Sequence, residues 1–312
     1  MPSLGHPRAG RLGASLGRVA RLIAALVVVV AAAGLAIGVA DEPDRSPKPA
    51  TSVARQPEPQ PLPDPVEKIP RRPERLAGAF TATTRRLREA LQGWDGSGEV
   101  PRDVSHLALH HQRMLRLMAA RRALGDAALA RLPTDVRGEA RDTVIARRQL
   151  AAIPRSPGRL PRVRVAEAAP AAELRRHYGA AQRRFGIHWS VLASINFVES
   201  AFGRVRSASE AGARGPMQFL PATWEAYGMG GDIDDPRDAI LAAANYLRQA
   251  GAPGDLDGAL FAYNHSASYV RAIRRFASRM RRDERAFLTY YAWQVYVITP
   301  SGIRRLTGPG RG

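Results

Sequence analysis

A single glutamate in this 312-residue chain stands where proton-transfer chemistry can be done. Glu199 closes an apolar helical run that includes Trp189, Leu192, Ala193, Ile195 and Val198, with Ser200 beside it and Phe202 beyond. Ile195 and Phe202 share its side of a helix, so the carboxylate is expected at the edge of an apolar face. Burial there disfavours the anion, and a raised pKa lets a carboxylic acid stay protonated near neutral pH, as a general acid must. Taken alone, a glutamate near a helix end is ordinarily solvated. Two later stretches change that reading: Gly215-Pro216-Met217-Gln218 and Ala262-Tyr263-Asn264. A glycine allows close backbone approach, and the phenol and amides supply hydrogen-bond donors and acceptors.

In this order, the Glu199-Ser200 pair, the Gly-Pro-Met-Gln loop and the Ala-Tyr-Asn triplet resemble the catalytic domain of lytic transglycosylases. These are lysozyme-superfamily enzymes that cleave the glycan strands of peptidoglycan. The resemblance covers Ala168 to Arg282 and is nearest to the branch with the Gly-Pro-Met-Gln loop. It implies a mainly α, lysozyme-like domain in which Glu199 is catalytic and Ser200, Gly215, Met217, Gln218, Tyr263 and Asn264 support it or bind substrate. Met217 would pack beneath the glutamate, Gln218 would bond the sugar and Phe219 would anchor the loop. The Tyr263 hydroxyl would reach the Glu199 carboxylate, and Asn264 would hold the adjoining sugar or turn. His265-Ser266 stand where many relatives have Ala-Gly, which alters the local cleft.

Most glycosidases use two carboxylates, and these motifs supply one. Asp232, Asp234 and Asp235 form the next acidic cluster, but they fit helix capping better than catalysis. One acid suffices where the substrate supplies the nucleophile, and the resemblance implies that course. Glu199 would protonate the β-1,4 bond between N-acetylmuramic acid and N-acetylglucosamine, leaving a 1,6-anhydromuramyl end with no cofactor. Two other readings stay open: a water-using muramidase of the same fold, and an anchored wall-binding scaffold without activity.

The elements that would position this chemistry are helical. Leu174, Tyr178, Ala181 and Phe185 line one face of a helix begun at Pro170 and stopped by Gly186. Asp235-Pro236-Arg237-Asp238 reads as a capped helix start, Asp257 as the cap of the next helix and Ser268 as the cap of an arginine-rich helix to Arg282. That helix carries Arg271, Arg274, Arg275, Arg279, Arg281 and Arg282, expected as a solvated face. Trp293 to Thr299 is β-branched and aromatic, Pro300-Ser301-Gly302 can turn, and Ile303 to Leu306 can pair back in a C-terminal β-hairpin. Calcium near Asp232, Asp234 and Asp235 is the less favoured alternative, because the stretch lacks a twelve-residue loop and its terminal glutamate.

Residues 74–160 read as a helical region of unknown role, with Val104, Leu107, Met114, Leu115 and Met118 on one band and Asp103 as a cap. His106 and His110 have a spacing that metals use, yet no third ligand is near, so packing is the better reading. Before it, residues 41–73 hold ten prolines in 33 positions and read as a disordered linker stiffened toward an extended chain. Residues 22–40 are uncharged and apolar, and Arg8, Arg11, Arg18 and Arg21 lie on their N-terminal side. That pattern predicts a transmembrane anchor or a signal segment, with residues 1–21 cytoplasmic and residues 161–312, the lysozyme-like domain and its hairpin, outside the cell membrane. The net charge of +19, carried by arginine apart from Lys48 and Lys68, then draws the protein to anionic cell-wall polymers beside peptidoglycan. With the chain exported no nucleic-acid partner is expected, and the absence of cysteine excludes disulfides.

Overall fold

The computed structural model describes residues 61–154, 163–299 and 302–310. These are mainly helical, with eleven α-helices and one two-stranded sheet among the described residues. The predicted membrane segment 22–40 and the linker up to residue 60 lie outside them. No helix among the described residues is long and apolar enough to cross a membrane.

The N-terminal half consists of α1 (Pro73–Ala90), α2 (Arg102–Ala120), α3 (Arg122–Arg131) and α4 (Thr134–Ala151). The second half holds α5 (Ala171–Phe185), α6 (Trp189–Ser200), α7 (Pro221–Tyr227), α8 (Pro236–Gln249), α9 (Leu256–Tyr263), α10 (Ala267–Arg282) and α11 (Arg285–Tyr291). The strands β1 (Tyr296–Thr299) and β2 (Gly302–Arg305) pair antiparallel, as the alternation of the tail predicts. Helix α6 is the axis: nearly all its residues are buried, because it is apolar around most of its circumference and is packed by α5, α8, α10 and α11. Gly186 ends α5 at φ 73°, the left-handed geometry that glycine adopts without strain.

The two halves share one core. Leu76, Phe80, Met114 and Val144 from the N-terminal helices belong to the same buried cluster as Leu192, Ile195, Phe276 and Tyr290. Helix α4 lies along α10, and this contact revises the solvated arginine face. Arg271 Nε donates to Gln149 at 2.9 Å, Arg275 reaches Asp142 at 3.3 Å and Arg282 also meets Asp142. Part of that face is thus a seam between helices. A chain entering α1 is also held, contrary to a linker running free to residue 73. The Arg113 guanidinium donates to the Glu67 carbonyl, Arg86 to the Pro61 carbonyl, and Leu62 and Ile69 pack on the core. Short apolar residues between the prolines suffice for that docking.

Three caps differ from the sequence reading. Asp103 bonds its neighbour's N–H, and α2 starts behind Pro101 without a side-chain cap. Asp255, not Asp257, caps α9 through the Gly258 N–H at 2.8 Å, and Ser266, not Ser268, caps α10 through the Tyr269 N–H. In both pairs the earlier residue is the one outside helical backbone geometry, which a cap requires. The Asp235 cap is as expected, accepting from Asp238 at 2.9 Å. His111, completely buried, stacks on Phe80 and lies 3.1 Å from Glu139. Burial alone would raise Glu139, but His111 and Arg88 together outweigh it and hold that carboxyl at about 2.

Candidate functional site

The end of α6 builds the site. After Glu199 and Ser200 the chain reverses through Ala201 at φ 52° and Phe202 at φ 65° before Gly203. Two successive non-glycine residues in the left-handed region cost on the order of 1–2 kcal/mol each. Aromatic packing holds them: Phe202 is buried, stacked on Phe197 at 5.4 Å and edge-on to Phe287 at 5.5 Å. Glu199 stands in the last turn of the helix and is among the residues that line a pocket.

Ser200 is engaged with the Gly-Pro-Met-Gln loop. Its buried hydroxyl donates to the Pro216 carbonyl at 2.5 Å and accepts the Gly203 N–H at 2.8 Å. The Asn196 amide donates to the same carbonyl at 2.8 Å, and Tyr178 donates to Asn196 Oδ1 at 2.6 Å. Ser200 therefore ties the glutamate's helix to the Gly-Pro-Met-Gln loop. Asn196 and Tyr178 complete this brace, which sequence reasoning missed; Asn196 reads there only as one more residue of an apolar run.

The loop itself is closed by a bridge, with Arg214 and Phe219 exchanging backbone hydrogen bonds of 2.8 and 2.9 Å. Gly215 adopts φ 75°, and a Cβ there would lie 1.9 Å from the Ile233 carbonyl oxygen. No larger residue fits. Met217 is completely buried and Phe219 nearly so, packed edge-on to Trp224 at 5.5 Å. The Gln218 amide donates to the Gly215 carbonyl at 3.0 Å and folds back on its own loop.

The two tyrosines are distributed differently from the expectation. Tyr263 donates to the Met217 carbonyl at 2.6 Å and so clamps the loop to α9. The hydroxyl on Glu199 belongs to Tyr269, at 2.7 Å from Oε1. Tyr263 closes α9 whereas Tyr269 lies in the first turn of α10, and the chain reverses between them; that change of direction brings the second ring to the carboxylate. Tyr269 is completely buried and carries no local signal, since it is 70 positions from its partner. Asn264 is buried at the end of α9, where its backbone N–H bonds the Leu260 carbonyl. Trp224 and Tyr227 are both half-buried, Tyr227 lying edge-on to Tyr246 at 4.8 Å.

Desolvation by the surrounding wall raises the Glu199 carboxyl to about 7, and the Tyr269 hydrogen bond opposes that only in part. The residue as a whole keeps some exposed surface, while its carboxyl is desolvated. Burial, with the glutamate's charge added, pushes Tyr263 and Tyr269 well above the ordinary phenol value, so both remain donors. The acidic cluster is engaged elsewhere. Asp234 pairs with Arg214 at 2.7 Å, Asp232 accepts the Asp234 N–H, and Asp235 caps α8. No group of three or more histidine and carboxylate side chains suited to a metal ion occurs among the described residues.

The site thus holds, in a mainly helical fold, one desolvated carboxylic acid that accepts a tyrosine hydroxyl. Residues 177–286, which carry the glutamate, the loop and both tyrosines, match the family model of the Transglycosylase SLT domain. Over 119 residues the chain is 32% identical to the membrane-bound lytic murein transglycosylase F of Thiobacillus denitrificans, a match covering 36% of this chain and 25% of that protein. The chain thus spans a quarter of the length of that relative, and the likeness is that of an SLT-like transglycosylase domain. No solved structure matches the chain.

Proposed function

We propose that the protein is a peptidoglycan lytic transglycosylase with Glu199 as its only catalytic acid and base. The observation that carries this reading is the glutamate itself: desolvated, raised to about 7, and hydrogen-bonded by Tyr269 within the SLT-matching segment. Such a carboxyl is substantially protonated at neutral pH and can give its proton to the glycosidic oxygen between N-acetylmuramic acid and N-acetylglucosamine. The muramyl N-acetyl oxygen bonds to C1 as the leaving sugar departs with that proton. Glu199, now a carboxylate, takes the proton of the C6 hydroxyl while that oxygen closes on C1 and frees the acetamido group. Water is not consumed and no cofactor is required. Gln218 and Asn264 lie on the loop and turn that flank the acid and would hold the sugars; Ser200, Gly215, Met217 and Tyr263 would fix the loop.

The membrane reading follows from the arginine-flanked apolar run 22–40, which would anchor the chain with this lysozyme-like domain on the outer side of the membrane. The relative's name supports the association, being that of a membrane-bound protein. The test is to incubate the chain and its Glu199→Gln variant with purified peptidoglycan and weigh the released muropeptides. Products about 18 Da lighter than hydrolytic ones, one water per cleaved bond, are expected from the unsubstituted chain alone. Hydrolysed ends would make it a muramidase, and wall binding without products a scaffold.

A further inference from the structure

The end of α6 opposite Glu199 carries a cationic surface that the acid–base site does not use. At about 1.5 Å of rise per residue, Trp189 stands roughly 15 Å along the helix from the glutamate. On the neighbouring α5, Arg175, Arg176, Gly179 and Arg183 fall within an arc of about 100°. A Cβ at Gly179 would lie 3.5 Å from Arg183 Nη1 and 3.6 Å from Arg175 Nη1, so two guanidinium groups reach over one glycine. That of Arg175 lies on the Trp189 ring, 4.1 Å from its centroid, and its Nε donates to Glu284 at 2.7 Å.

Helix α10 adds a further cation. Burial first, then the charges of Arg281 and Arg175, lower the His188 imidazole, so both arginines act on the residue that starts α6. Arg176, Arg183, Arg184 and Arg281 are exposed, and none forms an ion pair among the described residues. The acids of these segments are engaged: Glu284 with Arg175, Asp283 with Arg279 and Arg285, and Glu173 beside His177. Positive charge is therefore in excess here, and it is carried on rigid helices with one of its guanidiniums fixed on a ring. Such an arrangement spends little side-chain entropy when an anion arrives.

We propose that this face of α5, with Arg281 and the start of α6, is a docking surface for a phosphodiester polymer of the cell wall, separate from the Glu199 site. Guanidiniums repeating along a helix suit a linear polyanion with one charge per repeat, and their planar forks match phosphate oxygens. A bilayer is the other large anion that an exported domain meets, but binding to it also draws on apolar side chains. The exposed large apolar residues among the described ones, Val66, Val165, Met229 and Phe261, all lie on other segments. The surface gives a place to the polymer affinity that the net charge of +19 implies. It rests on the outward placement proposed above and not on the cleavage chemistry, so a chain without activity leaves it standing.

The test titrates the full chain, in neutral detergent, with synthetic poly(glycerol phosphate). Arg183→Gln combined with Arg281→Gln removes two exposed cations and no ion pair, so the fold is kept, and binding is expected to weaken roughly tenfold or more, the size of one charge-assisted hydrogen bond. Arg121→Gln combined with Arg122→Gln takes the same charge from an exposed part of the N-terminal helices and is expected to weaken binding less than about twofold. Added salt should weaken the unsubstituted chain more steeply than the Arg183 and Arg281 variant, which has fewer phosphates to neutralise. Equal losses from the two double substitutions would reduce the effect to net charge and overturn the proposal. So would a failure of the unsubstituted chain to bind the polymer, or stronger competition by micelles of anionic phospholipid than by the polymer, phosphate for phosphate.

Discussion

Replacing Glu199 with glutamine should make the protein more stable, and by an amount that depends on pH. The carboxyl has an ordinary value of 4.5 and is raised to about 7 in the fold, chiefly by burial. A group whose folded pKa is raised binds its proton more tightly in the native chain than in the unfolded one. Below the unfolded value both states are protonated and the site costs nothing. As pH rises from 4.5 to about 7 the unfolded chain ionises freely while the native one resists, so stability falls across that window. At about 1.4 kcal/mol per pKa unit, the loss is on the order of 3 kcal/mol by about pH 8 and under roughly 1 kcal/mol at about pH 5. Glutamine has a similar shape, still accepts from Tyr269, and never ionises. Urea unfolding of both chains should therefore give a variant that gains about 3 kcal/mol at the higher pH and little at the lower one. A gain that is the same at both values would mean that the native carboxyl is not desolvated, and the general-acid argument would lose its physical basis.

The remaining expectations concern the parts that hold the acid. Tyr269→Phe removes a hydrogen bond that favours the ionised form, so the alkaline limb of the pH–rate profile should move upward from about 7 while kcat falls roughly tenfold; an unmoved limb would place the phenol outside the acid's environment. Gly215→Ala drives a Cβ into the Ile233 carbonyl, and thermal unfolding should report a loss above roughly 2 kcal/mol; a neutral result would mean that the loop yields easily. Asp142→Ala cuts two partly exposed pairs between α4 and α10, and because such pairs are weak the expected loss is only about 1 kcal/mol or less by the same assay.

Much of this site is legible in the residue pattern because its determinants are local. The apolar run up to Glu199 places one carboxylate at a helix end, and the Gly215 loop and Tyr263-Asn264 need only their own spacing to be noticed. Helix starts at Asp235 and stops at Gly186 follow from backbone preferences that act within a turn. The hairpin is legible for the same reason, since β-branched alternation around a turn is a short-range signal.

Partner choice across the chain is a different matter, because it depends on how helices pack and not on their spacing. Tyr263 and Tyr269 are equivalent phenols in one stretch, and only the reversal between α9 and α10 gives the second to Glu199 and the first to the Met217 carbonyl. Ser200 is next to Glu199 in sequence, yet a helical turn carries successive side chains about 100° apart, so its hydroxyl reaches the Pro216 carbonyl while the Glu199 carboxylate meets Tyr269. The acid's raised pKa likewise required the surrounding wall, since composition alone does not say how far a carboxyl is desolvated. The largest tertiary decision concerns residues 74–160. Their amphipathic helices revealed an apolar face but not what it would cover, and packing α2 on α4 and α4 along α10 brings Arg116 and Arg147 into the lining of one pocket with Glu199. Sequence determined which residues can do chemistry here; packing determined which of them meet, because burial and contact are properties of the assembled core.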